Sequence, residues 1–154
     1  MEQPVVKESV NNRRRVARLA AVQGLYQLAL LPESAEAMIR RFRANPAVLL
    51  QEEQTIIAVD VELFGQIVFG VSENRDMLDA MIANAVDARL SAQRLEPLLK
   101  AILRAGTFEL LHHASTATGV IVNDYVDVTH GFFDAREPGL VNAVLDRLAR
   151  TLRS

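Results

Sequence analysis

VIVNDYVDVTHGF, residues 120–132, is the stretch on which the fold class turns. Its valines, isoleucine, tyrosine and threonine suit a strand. Its polar residues argue for a helix, because Asn123, Asp127 and His130 fall near one face at helical spacing, leaving Val120, Val128 and Phe132 to face a core. Read as a helix, it removes the best strand candidate in the chain.

The flanking segments agree. Thr118-Gly119 reads as a break before it. Upstream, Pro97 suits the first turn of a helix running to about His112, with Leu98, Ile102, Leu103, Phe108, Leu110 and Leu111 inward. Downstream, Pro138 opens a final helix with Leu140, Val141, Val144, Leu145 and Leu148 inward. From Asp60 an apolar pattern recurs at three- and four-residue steps through Leu63, Phe64, Ile67, Val71, Leu78, Met81 and Ile82. Unbroken to Val86 it spans about 40 Å; Gly70 and Ser72-Glu73-Asn74 are where it bends or divides. Ser34 is placed to cap a helix with Met38, Ile39 and Phe42 inward, and Asn45-Pro46 ends it. Residues 47–59 stay ambiguous, with Val48-Leu49-Leu50 a candidate short helix. Residues 1–12 read as a flexible arm, and Asn11 or Asn12 caps a helix from Arg13 to Leu30 that Pro32 stops. There is no Asn-Gly hairpin signal and no alternation of strands with helices. The expected fold is all-α, a bundle of about six to seven helices in one domain over residues 13–154.

Composition narrows the function. Half of the 154 residues are hydrophobic, and a domain of this size buries roughly 68–70% of its unfolded surface. There is no cysteine, which excludes a disulfide scaffold, a thiolate metal site and a cysteine nucleophile. The polar start lacks a signal peptide's apolar stretch, and no run approaches the ~18 apolar residues of a membrane helix. The expectation is a soluble, cytoplasmic chain that does not engage a membrane. Net charge is −2, but residues 1–31 hold five basic side chains against two acidic ones, and the remainder holds twelve against seventeen. An anion-binding patch is hidden by that average.

The patch is Arg13, Arg14, Arg15 and Arg18. On a helix the last three lie within about 100° of arc, with Arg14 and Arg18 one turn apart. Placed at a helix start, they repel one another and oppose the macrodipole, so an anion offsets a cost. Free backbone N–H groups there suit phosphate oxygens, and guanidinium groups bind phosphate in bidentate fashion and stack on bases. A solvated face, partly neutralised by Glu2 and Glu8, is the alternative. His112, His113 and His130 with Asp124 and Asp127 do not form a metal site, since Asp124, Asp127 and His130 spread around a helix and adjacent histidines diverge. No phosphate loop, GxGxxG or GxSxG occurs. No cofactor, metal ligand or catalytic residue is expected, and the chain is not read as an enzyme.

Several stretches together resemble the NusB family of bacterial transcription antitermination factors. Arg13-Arg14-Arg15-Val16-Ala17-Arg18 with Ala21-Val22-Gln23-Gly24-Leu25-Tyr26 resembles its N-terminal signature. Gly70-Val71, Asn74 and Leu78-Asp79 resemble its middle helix, and Lys100 to Arg104 with Phe108-Glu109-Leu110 the next. Val120 to Asp124 and Leu140 to Asp146 resemble its last two motifs. The matches keep the family's order over about residues 13–150.

The resemblance implies a compact helical fold and a non-catalytic role in transcription antitermination. It implies pairing with NusE, a ribosomal small-subunit protein. It also implies binding of boxA-type single-stranded leader RNA within an RNA polymerase antitermination complex on ribosomal RNA operons. It places Arg14, Arg15 and Arg18 on RNA, with Arg13 nearby. Gln23, Tyr26 and Asn142 match positions that support the RNA or partner surface, and Phe132 an aromatic position suited to base stacking. Asp124 stands where the family has glutamate, and Asn142-Ala143 where it has Asn-Gly. With His130, Phe133 and Gly139, these departures remove positive charge from the C-terminal side of that surface. A protein–protein scaffold and a NusB-like domain of the kind preceding RNA methyltransferases remain the other readings, and a homodimer covering the basic surface stays open.

Overall fold

In the computed structural model, which describes residues 5–55, 58–86 and 95–153, the deciding stretch is helical and belongs to Thr118–Phe132. The β-branched residues are accommodated because they pack or bond locally. Ile121, Val122 and Val128 are buried. The Thr129 hydroxyl donates 2.7 Å to the carbonyl oxygen of Tyr125 one turn back, so it enters the core without an orphaned donor. Two expectations for this helix fail. Thr118-Gly119 is its first turn rather than a break. Val120 and Phe132 are 47% and 41% exposed instead of facing the core.

Eight α-helices are present among the described residues: α1 Val5–Leu30, α2 Ala35–Ala44, α3 Glu52–Thr55, α4 Val61–Glu73, α5 Arg75–Ala85, α6 Pro97–His112, α7 Thr118–Phe132 and α8 Glu137–Leu152. A 3-10 turn, Pro46–Val48, follows α2, so the ambiguous region resolves into that turn and the four-residue α3. No described residue is in a strand, and no helix among the described residues is long and apolar enough to cross a membrane. The fold class is all-α, as the sequence predicts. Contacts divide the chain into two units, residues 1–69 and 70–154.

In the first unit, α1 is continuous from Val5. Residues 5–12, expected as an arm, are its first turns, and residues 1–4 lie outside the described residues. α2 is capped as predicted: the Ser34 hydroxyl accepts from the Ala37 N–H at 3.0 Å. Loss of such a cap costs about 1 kcal/mol. Phe42 of α2 and Phe64 of α4 stack at 3.9 Å between ring centroids, and both are fully buried. Gly24 allows α2 to approach α1, for a Cβ there would lie 2.8 Å from the Met38 sulfur. Asp60 starts α4 by accepting from the Leu63 N–H at 3.0 Å.

In the second unit, α6 is buried along most of its length. Gly106 admits Leu145 of α8, whose Cδ1 lies 2.8 Å from where a Cβ would sit. Gly70 admits the Phe108 ring even more closely. Asn74 divides the long apolar pattern: its side-chain amide donates 2.8 Å to the Gly70 carbonyl and terminates α4. Arginines of α8 and just beyond close two other helices. Arg147 donates to the Ala85 carbonyl at the end of α5, 3.1 Å. Arg153 donates to the Glu109, Leu110 and His113 carbonyls at the end of α6. A cation among the free carbonyls of a helix C-terminus is the favourable sense of the macrodipole.

Candidate nucleic-acid interface

The basic cluster sits on α1, but not at its start. Because α1 begins at Val5, Arg13 to Arg18 lie beyond the first turn. Their backbone N–H groups are directed to carbonyls one turn earlier. The expected contribution of free N–H groups and of an opposing helix dipole at Arg13 therefore falls away. What remains is the side chains.

Those four side chains have different surroundings. Arg13 is partly buried; its Nε donates 2.6 Å to the Ala58 carbonyl, and its own carbonyl accepts from the Asp60 N–H at 3.2 Å. Arg14 is also partly buried, and its Nε is enclosed without an acceptor. Arg15 is exposed. Arg18 is only 1% exposed and is engaged there, so its guanidinium serves the interior rather than the surface. At ~100° per residue, Arg15, Leu19, Gln23 and Tyr26 fall within about 80° of arc. Leu19, Gln23 and Tyr26 are all part-exposed, so α1 presents a half-open stripe headed by Arg15.

The remaining predicted residues lie in the second unit. Phe132, at the end of α7, is 41% exposed, and Asn142 in α8 is exposed. An exposed aromatic ring is available to stack on a base, which a core ring is not. The histidines are engaged separately. His113 Nδ1 lies 2.9 Å from Glu109, the rings of His112 and His113 lie against Phe108, and His130 is exposed on another helix. Among the described residues no group of three His, Cys, Asp or Glu is placed to hold a metal ion.

Two features were missed. Glu109 is fully buried, where Tyr125 donates 2.6 Å to its carboxylate; the apolar pattern placed Phe108 and Leu110 inward but gave no sign that the carboxylate between them is buried too. The second is α2, which carries Arg40, Arg41 and Arg43 against one acid, Glu36. The run RRFR was visible in the sequence. Arg41 is taken up by a bidentate pair with Glu33 at 2.9 and 2.8 Å. The hydrogen bond from Arg41 holds the Glu33 carboxyl below its ordinary range.

Fold and surface together define an all-helical protein that presents guanidinium groups and exposed aromatic rings. Its NusB family profile matches residues 15–150, across both units. The chain is 40% identical over 142 residues to the transcription antitermination protein NusB of Rhizobium rhizogenes, covering 92% of this chain and 89% of that one. It is 41% identical over 143 residues to the protein of the same name from Rhizobium etli, covering 93% and 89%. Among solved structures it superposes on T. maritima NusB with TM-score 0.71 and 24% identity, covering 89% of this chain and 90% of that one. It superposes with TM-score 0.73 and 22% identity on a chain from a complex of antitermination factors NusB and NusE with double-stranded RNA, covering 90% and 97%. The chain belongs to the NusB family, whose members are non-catalytic transcription antitermination factors.

Proposed function

We propose that this antitermination factor binds boxA-type single-stranded leader RNA jointly with NusE, and that the pair joins the RNA polymerase antitermination complex on ribosomal RNA operons in the cytoplasm. The observation that carries the reading is the state of the α1 arginines. Arg15 is exposed at the head of a half-open stripe with Gln23 and Tyr26, and Arg14 beside it has a guanidinium nitrogen lacking an acceptor. That nitrogen is itself enclosed, so Arg14 meets a phosphate through its other guanidinium N–H groups. Arg14 and Arg15 are the direct contacts in this reading, and Arg13 flanks them. Arg18 supports the helix from within. Phe132 stacks on a base, and Asn142 offers an exposed amide to RNA or partner.

The occurrence of NusB with NusE and RNA in a structure of the same fold supports the choice of partners. Crosslinking the chain to a boxA RNA in the presence of NusE, followed by mapping of the modified residues, tests the assignment. Crosslinks at residues 13–15, 23–26 and 132 are expected. Crosslinks confined to other segments contradict it.

A further inference from the structure

We infer that the RNA surface of the first unit continues from α1 across the first turn of α4 onto α2, where Arg43 and Arg40 take further phosphates of the same strand. This rests on the RNA reading above and extends it to residues that reading does not use.

The first turn of α4 lies between two runs of arginine. On one side Arg13 donates to the Ala58 carbonyl at 2.6 Å and accepts from the Asp60 N–H at 3.2 Å. On the other, two residues further along, Glu62 accepts from Arg43 of α2 at 3.0 Å. Gly65 lies one turn on from Glu62, and a Cβ there would be 4.0 Å from Arg43 Nη2. The Arg43 guanidinium therefore lies along α4 over a position that has no side chain.

Arg40 precedes Arg43 by three residues, so the two share a face of α2, and Arg40 is exposed. Arg41 points elsewhere, into its pair with Glu33. The Arg43–Glu62 pair is open to water, with side chains 45% and 72% exposed. Such a pair is worth little, so Arg43 exchanges Glu62 for a phosphate at small cost. In this reading a strand that runs along α1 to Arg13 has Arg43 and then Arg40 as the next cations, because Arg13 and Arg43 are the arginines tied to the start of α4. Charge complementarity and continuity with the α1 surface make RNA the occupant.

The test is a salt titration of RNA affinity, read by fluorescence anisotropy with NusE present. The probe is a boxA RNA extended by leader nucleotides at both ends. Wild type is compared with Arg40→Ala/Arg43→Ala, Glu62→Gln and Arg14→Ala/Arg15→Ala, and circular dichroism confirms that each folds. The α2 pair is expected to flatten the slope of log affinity against log salt by about 1.4, at ~0.7 per phosphate contact. Glu62→Gln removes the competing carboxylate and is expected to tighten binding about two- to five-fold. If the α2 pair keeps the wild-type slope while the α1 pair loses it, the extension is wrong and the α1 reading stands. A loss of NusE affinity without a change in RNA slope also overturns it, making α2 a protein-docking face. If the α1 pair changes nothing, the RNA reading and this extension fall together.

Discussion

Arg153 Nε donates to the carbonyl oxygen of Leu110 at 2.8 Å, across 43 positions of sequence. The same guanidinium reaches the His113 and Thr116 carbonyls at 2.8 and 2.7 Å. One side chain thus closes α6 and fixes the turn into α7. Charge-assisted hydrogen bonds contribute about 1.5–3 kcal/mol each, without adding fully. Arg153→Ala is expected to lower stability by about 2–4 kcal/mol and Tm by roughly 5–12 °C. Arg153→Lys recovers only part, because an ammonium lacks the planar fork. Thermal melts followed by circular dichroism decide it; an unchanged Tm for the alanine variant would show that water replaces the clamp.

Tyr125 and Glu109 form a second long-range link, 2.6 Å from hydroxyl to carboxylate, with both side chains fully buried. Tyr125→Phe leaves the ring in place and removes one donor from a buried carboxylate. Denaturant titration is expected to show a loss of about 1.5–3 kcal/mol with little change in the m value. A loss below ~0.5 kcal/mol would mean that the other partners of Glu109 suffice.

Glycine positions separate close packing from open space. Gly70→Ala places a methyl group against the Phe108 ring, and the expected cost is about 1–3 kcal/mol. Trimming the ring with Phe108→Leu should make the alanine less costly, so a double-mutant cycle should give a favourable coupling between the two changes. Gly119→Ala meets nothing within 4 Å and gains helix propensity. It should be neutral or stabilise by up to about 1 kcal/mol.

Glu33 and Arg41 give a pH dependence with a defined sign. The hydrogen bond from Arg41 lowers the Glu33 pKa in the folded chain. The pair's contribution is therefore present above the ordinary carboxylate pKa. It is lost as pH falls through the lowered folded value. An NMR titration should find Glu33 below its ordinary pKa in the wild type and returned towards it in Arg41→Ala. Equal values in both proteins would remove Arg41 as the cause.

Arg18 and Arg15 should part company although they lie three residues apart. Arg18 is enclosed, so Arg18→Ala is expected to cost about 3–5 kcal/mol by leaving its partners uncompensated in the interior. Arg15→Ala removes only interactions made by an exposed side chain, so it should cost no more than about 1 kcal/mol, and it should weaken RNA binding. Stability curves for the two variants beside one RNA titration check the division. Equal stability losses would contradict it.

The pattern of legible and hidden features has physical causes. Helix boundaries set by local chemistry were readable: Ser34 and Asn45-Pro46 bracket α2, and Pro97 and Pro138 stand in the first turns of α6 and α8. The start of α1 was misplaced because Asn11 and Asn12 serve equally as caps or as interior helical residues, and only tertiary context chooses. Val120 and Phe132 were assigned inward because α7 is apolar around most of its circumference, which leaves its core face underdetermined. The burial of Arg18 and the acceptors of Arg153 were invisible for another reason. Backbone carbonyls and interior partners of a charge come from distant elements and leave no periodic trace. The arginine cluster was legible as a cluster, but its division into an interior residue and surface residues was not.

Arg14 and Arg15 are proposed to bind RNA phosphates. The most direct measurement is the salt dependence of boxA RNA affinity, with NusE present, for wild type and Arg14→Ala/Arg15→Ala. A weaker complex and a slope shallower by about 1.4 are expected in a variant that folds as the wild type does. An unchanged affinity and slope in that folded variant would contradict it.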